Sequence, residues 1–178
     1  MSRQFWNEAL TWATADGTAV ANTTTESAIF NGVTIPANYL QDGRVLRLRA
    51  FGKLSTTGTP TIKFGLRFGT ATGGVLLWQT EAITNGSAVT SINWSLEVVV
   101  QVRTNGSTGT LIAMGDVMVN TSTSANVSQA VSVSGSDLPA TASCDFTADT
   151  ALTLTATWGT ASASNTLTGV IMTIESLN

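Results

Sequence analysis

The sequence predicts an all-β fold, an antiparallel β-sandwich with a short N-terminal arm. Three observations lead there. Apolar and polar residues alternate with period two over several long runs, the pattern of strands with one buried face. Polar clusters of Gly, Pro, Asn and Ser separate those runs. No strong, long amphipathic helical pattern interrupts them. Roughly eight to ten strands punctuated by such turns argue for a sandwich or a barrel.

Residues 1–22 read as the arm and 23–178 as the sandwich domain. Phe5, Trp6, Leu10 and Trp12 crowd the start of the chain. Asn7 to Leu10 either begins a short helix, with Phe5 or Trp6 meeting Ala9 and Leu10 at helical spacing, or continues an extended arm. Glu26 to Ile35 is the first strand or strand pair, interrupted at Asn31-Gly32. Pro36 ends an extended segment because it donates no ladder hydrogen bond. Asp42-Gly43 is a turn that opens the next strand.

Leu46, Leu48 and Ala50 then alternate with Arg47, Arg49 and Phe51. Ile62, Phe64, Leu66 and Phe68 alternate with Lys63, Gly65 and Arg67. The polar segment from Ser55 to Pro60 between them predicts an antiparallel hairpin. A turn at Thr72-Gly73-Gly74 leads into Val75–Thr80, and Asn85-Gly86-Ser87 forms a loop. From Ser91 to Thr104, Ile92, Trp94, Leu96, Val98, Val100 and Val102 share one face. Asn105 to Gly109 closes a hairpin onto Thr110–Val119. Gly115 inside that strand marks a bulge or a close backbone approach. A Ser/Thr loop follows, then a shorter strand over Val127–Val133, a turn at Gly135–Pro139 and a short strand at Cys144–Phe146. Thr150–Trp158 alternates again, Gly159–Asn165 is a loop of small residues, and Leu167–Leu177 is the closing strand.

Composition narrows the function. Hydrophobic residues make up 43% of the 178-residue chain and charged residues only 11%, less than half the usual share of roughly 25%. Thr and Ser fill the gap, and Thr suits a pleated surface. A low-charge surface of this kind fits a subunit packed into an assembly; a secreted or adhesive β-domain has a similar composition. The net charge of −3 argues against general nucleic-acid binding. No apolar run is long enough to span a bilayer. The first residues lack the apolar stretch of a signal peptide, so synthesis in a cytoplasm is expected. A single cysteine, Cys144, forbids an intrachain disulfide.

Catalytic signals are missing. Without histidine there is no Ser-His-Asp or Cys-His nucleophile, and zinc lacks its ligands. No catalytic, cofactor or metal site is expected. Asp116, Asp137, Asp145 and Asp149 read as turn caps rather than as an acid–base pair. Cys144 reads as a small buried hydrophobe. Trp78, Trp94 and Trp158 alternate with polar residues inside strands, which assigns them to the core rather than to a sugar platform.

The uneven feature is basic. Six of the eight cations lie between Arg44 and Arg67. Arg47, Arg49, Lys63 and Arg67 fall on the faces opposite Leu48 and Phe64. They form either a solvated sheet face or cross-subunit pairs with Glu97, Glu81 or Glu26.

The run TIPANYLQDGRVLRLRAFGKLSTTGTPTIKFGLRFG, the Trp94 strand and the Gly106–Thr110 turn together resemble a module common in tailed-bacteriophage virion proteins. The resemblance spans about Thr24 to Val119 and rests on pattern rather than on an invariant signature. It implies an antiparallel β-sandwich of jelly-roll type, where the strand pattern by itself leaves an immunoglobulin-like sandwich as the second choice, and it implies no catalytic residues. It further implies a non-enzymatic virion structural protein: a trimeric capsid decoration or cement protein that reinforces the head. The alternative is a tail or fibre domain that binds host-surface carbohydrate. The expected partners are a homotrimer of this chain and the major capsid protein or other virion subunits, with no nucleic acid, membrane or cofactor. The interface candidates are Phe5, Trp6, Leu10, Trp12, Arg47, Arg49, Lys63 and Arg67. The N-terminal aromatics either cap their own sandwich or dock on a neighbouring subunit or the capsid.

Overall fold

The computed structural model describes residues 7–120 and 141–178. Its strands form two antiparallel sheets. The first runs in the order β1 (Glu8–Trp12), β13 (Thr166–Ser176), β5 (Val45–Ser55), β9 (Ile92–Thr104), β10 (Gly109–Val119) and β11 (Ala142–Cys144), with β2 (Val20–Ala21) also on β13. The second runs β3 (Ser27–Ala28), β12 (Thr150–Trp158), β6 (Thr61–Phe68) and β7 (Val75–Gln79). In it β4 (Val33–Ile35) also pairs with β12, and β8 (Ile83–Thr84) with β6.

The pairings are nested. β1 pairs with β13, β4 with β12, β5 with β9 and β6 with β7. A long hairpin folded over on itself, with successive pairs placed in alternate sheets, is the jelly roll. β10 and β11 extend the first sheet past β9.

One predicted pairing is corrected. β5 and β6 do not form a hairpin: β5 lies between β13 and β9, while β6 lies between β12 and β7. Alternation specifies which face of a strand is buried, not which strand it joins. Both strands send their apolar faces into one core, so the segment between them crosses from sheet to sheet. Thr56 anchors that crossing; its N–H donates to Val89 O at 2.9 Å and its Oγ1 to Gly86 O at 2.6 Å. The β9–β10 hairpin forms as expected, with one irregularity at Thr110/Leu111. Gly115 is in regular register opposite Val98, and a Cβ there would run into Glu97 O. Close backbone approach, not a bulge, accounts for that glycine.

The described part of the expected arm is built into the sheet. Glu8 to Trp12 is an edge strand rather than a helix, and Val20-Ala21 returns to the far end of β13. Leu10 packs partly against the core. A boundary after residue 22 therefore falls inside the sandwich, because β13 would otherwise present an unpaired edge. Phe5 and Trp6 lie outside the described residues, as do the strand expected at Val127–Val133 and the turn at Gly135–Pro139. The short strand expected at Cys144–Phe146 is observed at Ala142–Cys144, with Phe146 buried just beyond it.

Three tryptophans fill the core. Trp78, Trp94 and Trp158 are almost fully buried. Trp94 of β9 crosses to Phe64 of β6 with ring centroids 5.2 Å apart, so one aromatic pair ties the two sheets together. Its cross-strand partner is Gly52, where a Cβ would sit 2.6 Å from the indole. The missing side chain leaves room for the ring. Trp158 Nε1 donates to Val20 O at 3.0 Å and fastens β2 to the second sheet.

Trp94→Ala is expected to destabilise the fold by about 3–5 kcal/mol, the usual cost of emptying a buried aromatic site. Chemical denaturation of the variant measures this; an unchanged midpoint would contradict the packing described.

Candidate functional site

The two sheets divide the basic cluster. Arg47 and Arg49 stand on the outer face of the first sheet, and Lys63 and Arg67 on the second, so they do not form one patch. The split follows from the crossing between β5 and β6. Cross-strand register supplies counter-ions within the chain. Arg47 lies opposite Glu175 and Arg49 opposite Glu97, and both pairs form salt bridges. Lys53 meets Asp16 at 3.7 Å. Two of the expected partners, Glu97 and Glu26, are thus engaged in intrachain pairs.

Arg67 makes the most enclosed pair. Its Nε and Nη2 donate to the two oxygens of Glu26, each at 2.7 Å, and Nη1 donates to Gly74 O at 2.8 Å. Thr155 Oγ1 adds a bond to Glu26 Oε1 at 2.6 Å. Gly65 leaves the space, since a Cβ there would lie 2.7 Å from Thr155 Oγ1. Burial pushes the Glu26 carboxyl up, but the hydrogen bonds from Arg67 and Thr155 and the charge of Arg67 outweigh it and hold the group below its ordinary value. This clasp ties the chain ahead of β3 to β6, β12 and the start of β7. Its role is structural.

The outer face of the first sheet carries a different feature. Ile171 is paired with Phe51, Phe51 with Ser95 and Ser95 with Met118, while Val99 lies opposite Met114. Met114, Met118 and Ile171 are each about half exposed, at 52%, 49% and 52%. Phe51 and Val99 are exposed as well. The ion pairs Arg47–Glu175 and Arg49–Glu97 run between these apolar groups. A shallow cleft of about 290 Å³ opens beside Phe51, Met118, Arg49, Glu97 and Asp116. Sequence reasoning treated this face as polar. The available signal was apolar residues occupying the outward phase of four adjacent strands, visible only once β13, β5, β9 and β10 are known to be neighbours.

Of the N-terminal candidates, Leu10 belongs to the chain's own core, whereas Trp12 is 61% exposed. Trp12 borders a second groove, of about 450 Å³, between the β1–β2 connection and Phe30–Thr34.

Cys144, Asp145 and Asp149 have structural roles, whereas Asp116 lies mid-strand in β10 opposite Glu97 and caps no turn. Burial pushes the Cys144 thiol up to about 11, far from a reactive thiolate. Asp145 Oδ1 accepts from both Thr147 N at 2.8 Å and Thr147 Oγ1 at 2.6 Å, and these bonds hold its carboxyl below the ordinary value. Asp149 Oδ1 accepts from Ala37 N at 2.8 Å. Both act as loop caps. Asp137 lies outside the described residues. Among the described residues, no three Cys, Asp or Glu side chains converge as a metal site.

The lowered Glu26 carboxyl sets an acid limit. Its stabilisation is fully present above the ordinary carboxylate value of 4.5 and is lost as pH falls through the lower folded value. Glu26→Gln is expected to cost about 1–3 kcal/mol near neutral pH and to make the acid branch of the stability curve shallower. Urea denaturation across that range checks both effects. Cys144 is expected to resist thiol reagents at mildly alkaline pH until the protein is unfolded, and rapid native-state labelling would contradict its burial.

No protein-family model and no curated protein matches the chain. Among solved structures, 99% of the chain aligns with 99% of the CBM2 module of the evolved Dit of Lactobacillus casei BL23 phage J-1, at 10% identity and a TM-score of 0.42. It also aligns with the VP2 subviral particle of infectious bursal disease virus at 12% identity and a TM-score of 0.20. That alignment covers 98% of this chain but 42% of the VP2 chain. A structure of the Gt strain of the same virus gives 12% identity and a TM-score of 0.20, over 99% of this chain and 42% of that one.

Proposed function

We propose that this protein is a non-enzymatic bacteriophage virion structural subunit that forms a homotrimer and decorates and reinforces the capsid. The observation that carries the proposal is the outer face of the first sheet. The jelly roll closes its core without that face, yet the face presents Ile171, Phe51 and Met118 along one row and Val99 and Met114 along another, with Arg49 and Glu97 between the rows. Each such side chain is already about half buried or more, so covering it gains about half or less of the roughly 1.5–3 kcal/mol of full burial, and methionine and aromatic residues are enriched where proteins meet.

Charge supports the same reading. Arg47–Glu175 and Arg49–Glu97 are already paired, so covering them costs less than covering lone charges. Asp116, beside Met118 in this cleft, and Lys63, on the outer face of the opposite sheet, make no ion pair among the described residues. A trimer closes only where the first-sheet face of one subunit meets a different surface of the next through a threefold rotation. The resemblance of residues 24–119 to tailed-phage virion modules supplies the virion context, with the major capsid protein as the surface on which the ring sits.

Light scattering of the wild-type chain is expected to give three times its 18.4 kDa mass. Met114→Glu combined with Ile171→Glu should give a monomer with a near-normal melting temperature, since both residues are exposed. A wild-type monomer at every concentration, or a double variant that stays trimeric, would overturn the proposal.

A further inference from the structure

We propose that the groove beside Trp12 is a carbohydrate site that takes a short, uncharged oligosaccharide. The inference is independent of the assembly role. Residues 11–18, the end of β1 and the connection that follows it, line the groove together with residues 30–34, the β3–β4 connection and the start of β4. The groove of about 450 Å³ falls within the roughly 300–1,000 Å³ of small-molecule clefts.

The lining has the two chemical components that sugars require. Trp12 offers a planar apolar ring held largely in water, 61% exposed, where the C–H face of a pyranose stacks. Phe30 and Met172 add an apolar floor. Around them stand Thr14, Thr18, Thr34 and Asn31, whose side chains make no hydrogen bond among the described residues. Hydroxyl and amide groups both donate and accept, as sugar hydroxyls do.

Electrostatics decides the ligand class. The charged group in the lining is the Asp16 carboxylate, with the Lys53 ammonium 3.7 Å away. The site thus has no surplus of positive charge with which to hold a phosphate, a sulfate or a nucleic-acid backbone. Asp16 instead accepts hydrogen bonds from neutral hydroxyls. The hydroxyl-rich rim disfavours a lipid chain.

The test is calorimetric titration of the full chain with maltotriose, cellotriose, chitotriose and a purified bacterial cell-wall polysaccharide. At least one probe is expected to bind wild-type protein. Trp12→Ala should weaken that binding about tenfold or more, and Trp12→Phe should retain most of it, the ring face being the contact. Asn31→Ala, which leaves the indole in place, should weaken binding several-fold. Melting temperatures of all three variants should match wild type, because both side chains are exposed. Failure of all four probes to bind, or undiminished binding by Trp12→Ala, would overturn the assignment. Loss of trimerisation in the first-sheet variants should leave saccharide affinity unchanged, and a parallel loss would overturn the independence of the groove.

Discussion

The fold depends on where β13 inserts. This strand pairs along one edge with β5 and along the other with β1 and β2. It joins segments far apart in sequence, and every pair nested inside it inherits its placement. β12 does the same in the second sheet, between β6 on one side and β3 and β4 on the other. Long-range pairing of this kind carries a loop-closure cost that local hairpins avoid. The compensation is one continuous core, with Trp94, Trp158 and Phe64 at the junction of the sheets. Gly52 and Gly65 show how closely that core and its margins are fitted: each stands where a side chain would collide with a group the structure uses.

The same architecture explains why a chain with so few charges has a paired surface. Arg47, Arg49 and Arg67 reach carboxylates across strand registers or across the sheet, not through neighbours in sequence. Pairing inside the subunit leaves the first-sheet face nearly neutral and still partly apolar. A face of this kind is tolerated in water as scattered side chains but gains by being covered. Assembly and solubility then draw on one surface. The hydroxyl-rich margin near Trp12 has a different chemistry and a different position, at the seam between the sheets.

Much of the fold was legible in the sequence because period two is a strong signal. The buried face of β9, the β9–β10 hairpin and the apolar alternation of β12 all follow from it. Partner choice did not follow. β5 and β6 read as a hairpin because a turn-like segment separates them, and nothing local distinguishes a turn from a crossing between sheets. That error joined Arg47 and Arg49 to Lys63 and Arg67 as one surface, although they lie on opposite sides of the molecule. The apolar first-sheet face was hidden for the same reason: Phe51 meets Ile171, and Val99 meets Met114, only through pairing. Trp12 was legible as a residue needing an explanation. Its exposure, and its separation from Leu10, required the register of β1 on β13.

Imaging of the assembled particle tests the central claim most directly. Cryo-electron microscopy of the parent virion should show threefold-symmetric density on the head lattice. In that density the strands β5, β9 and β10 should meet a neighbouring subunit through their outward faces. Isolated single copies, density confined to the tail, or a ring whose subunits leave Phe51, Met114 and Met118 in open solvent would contradict the account.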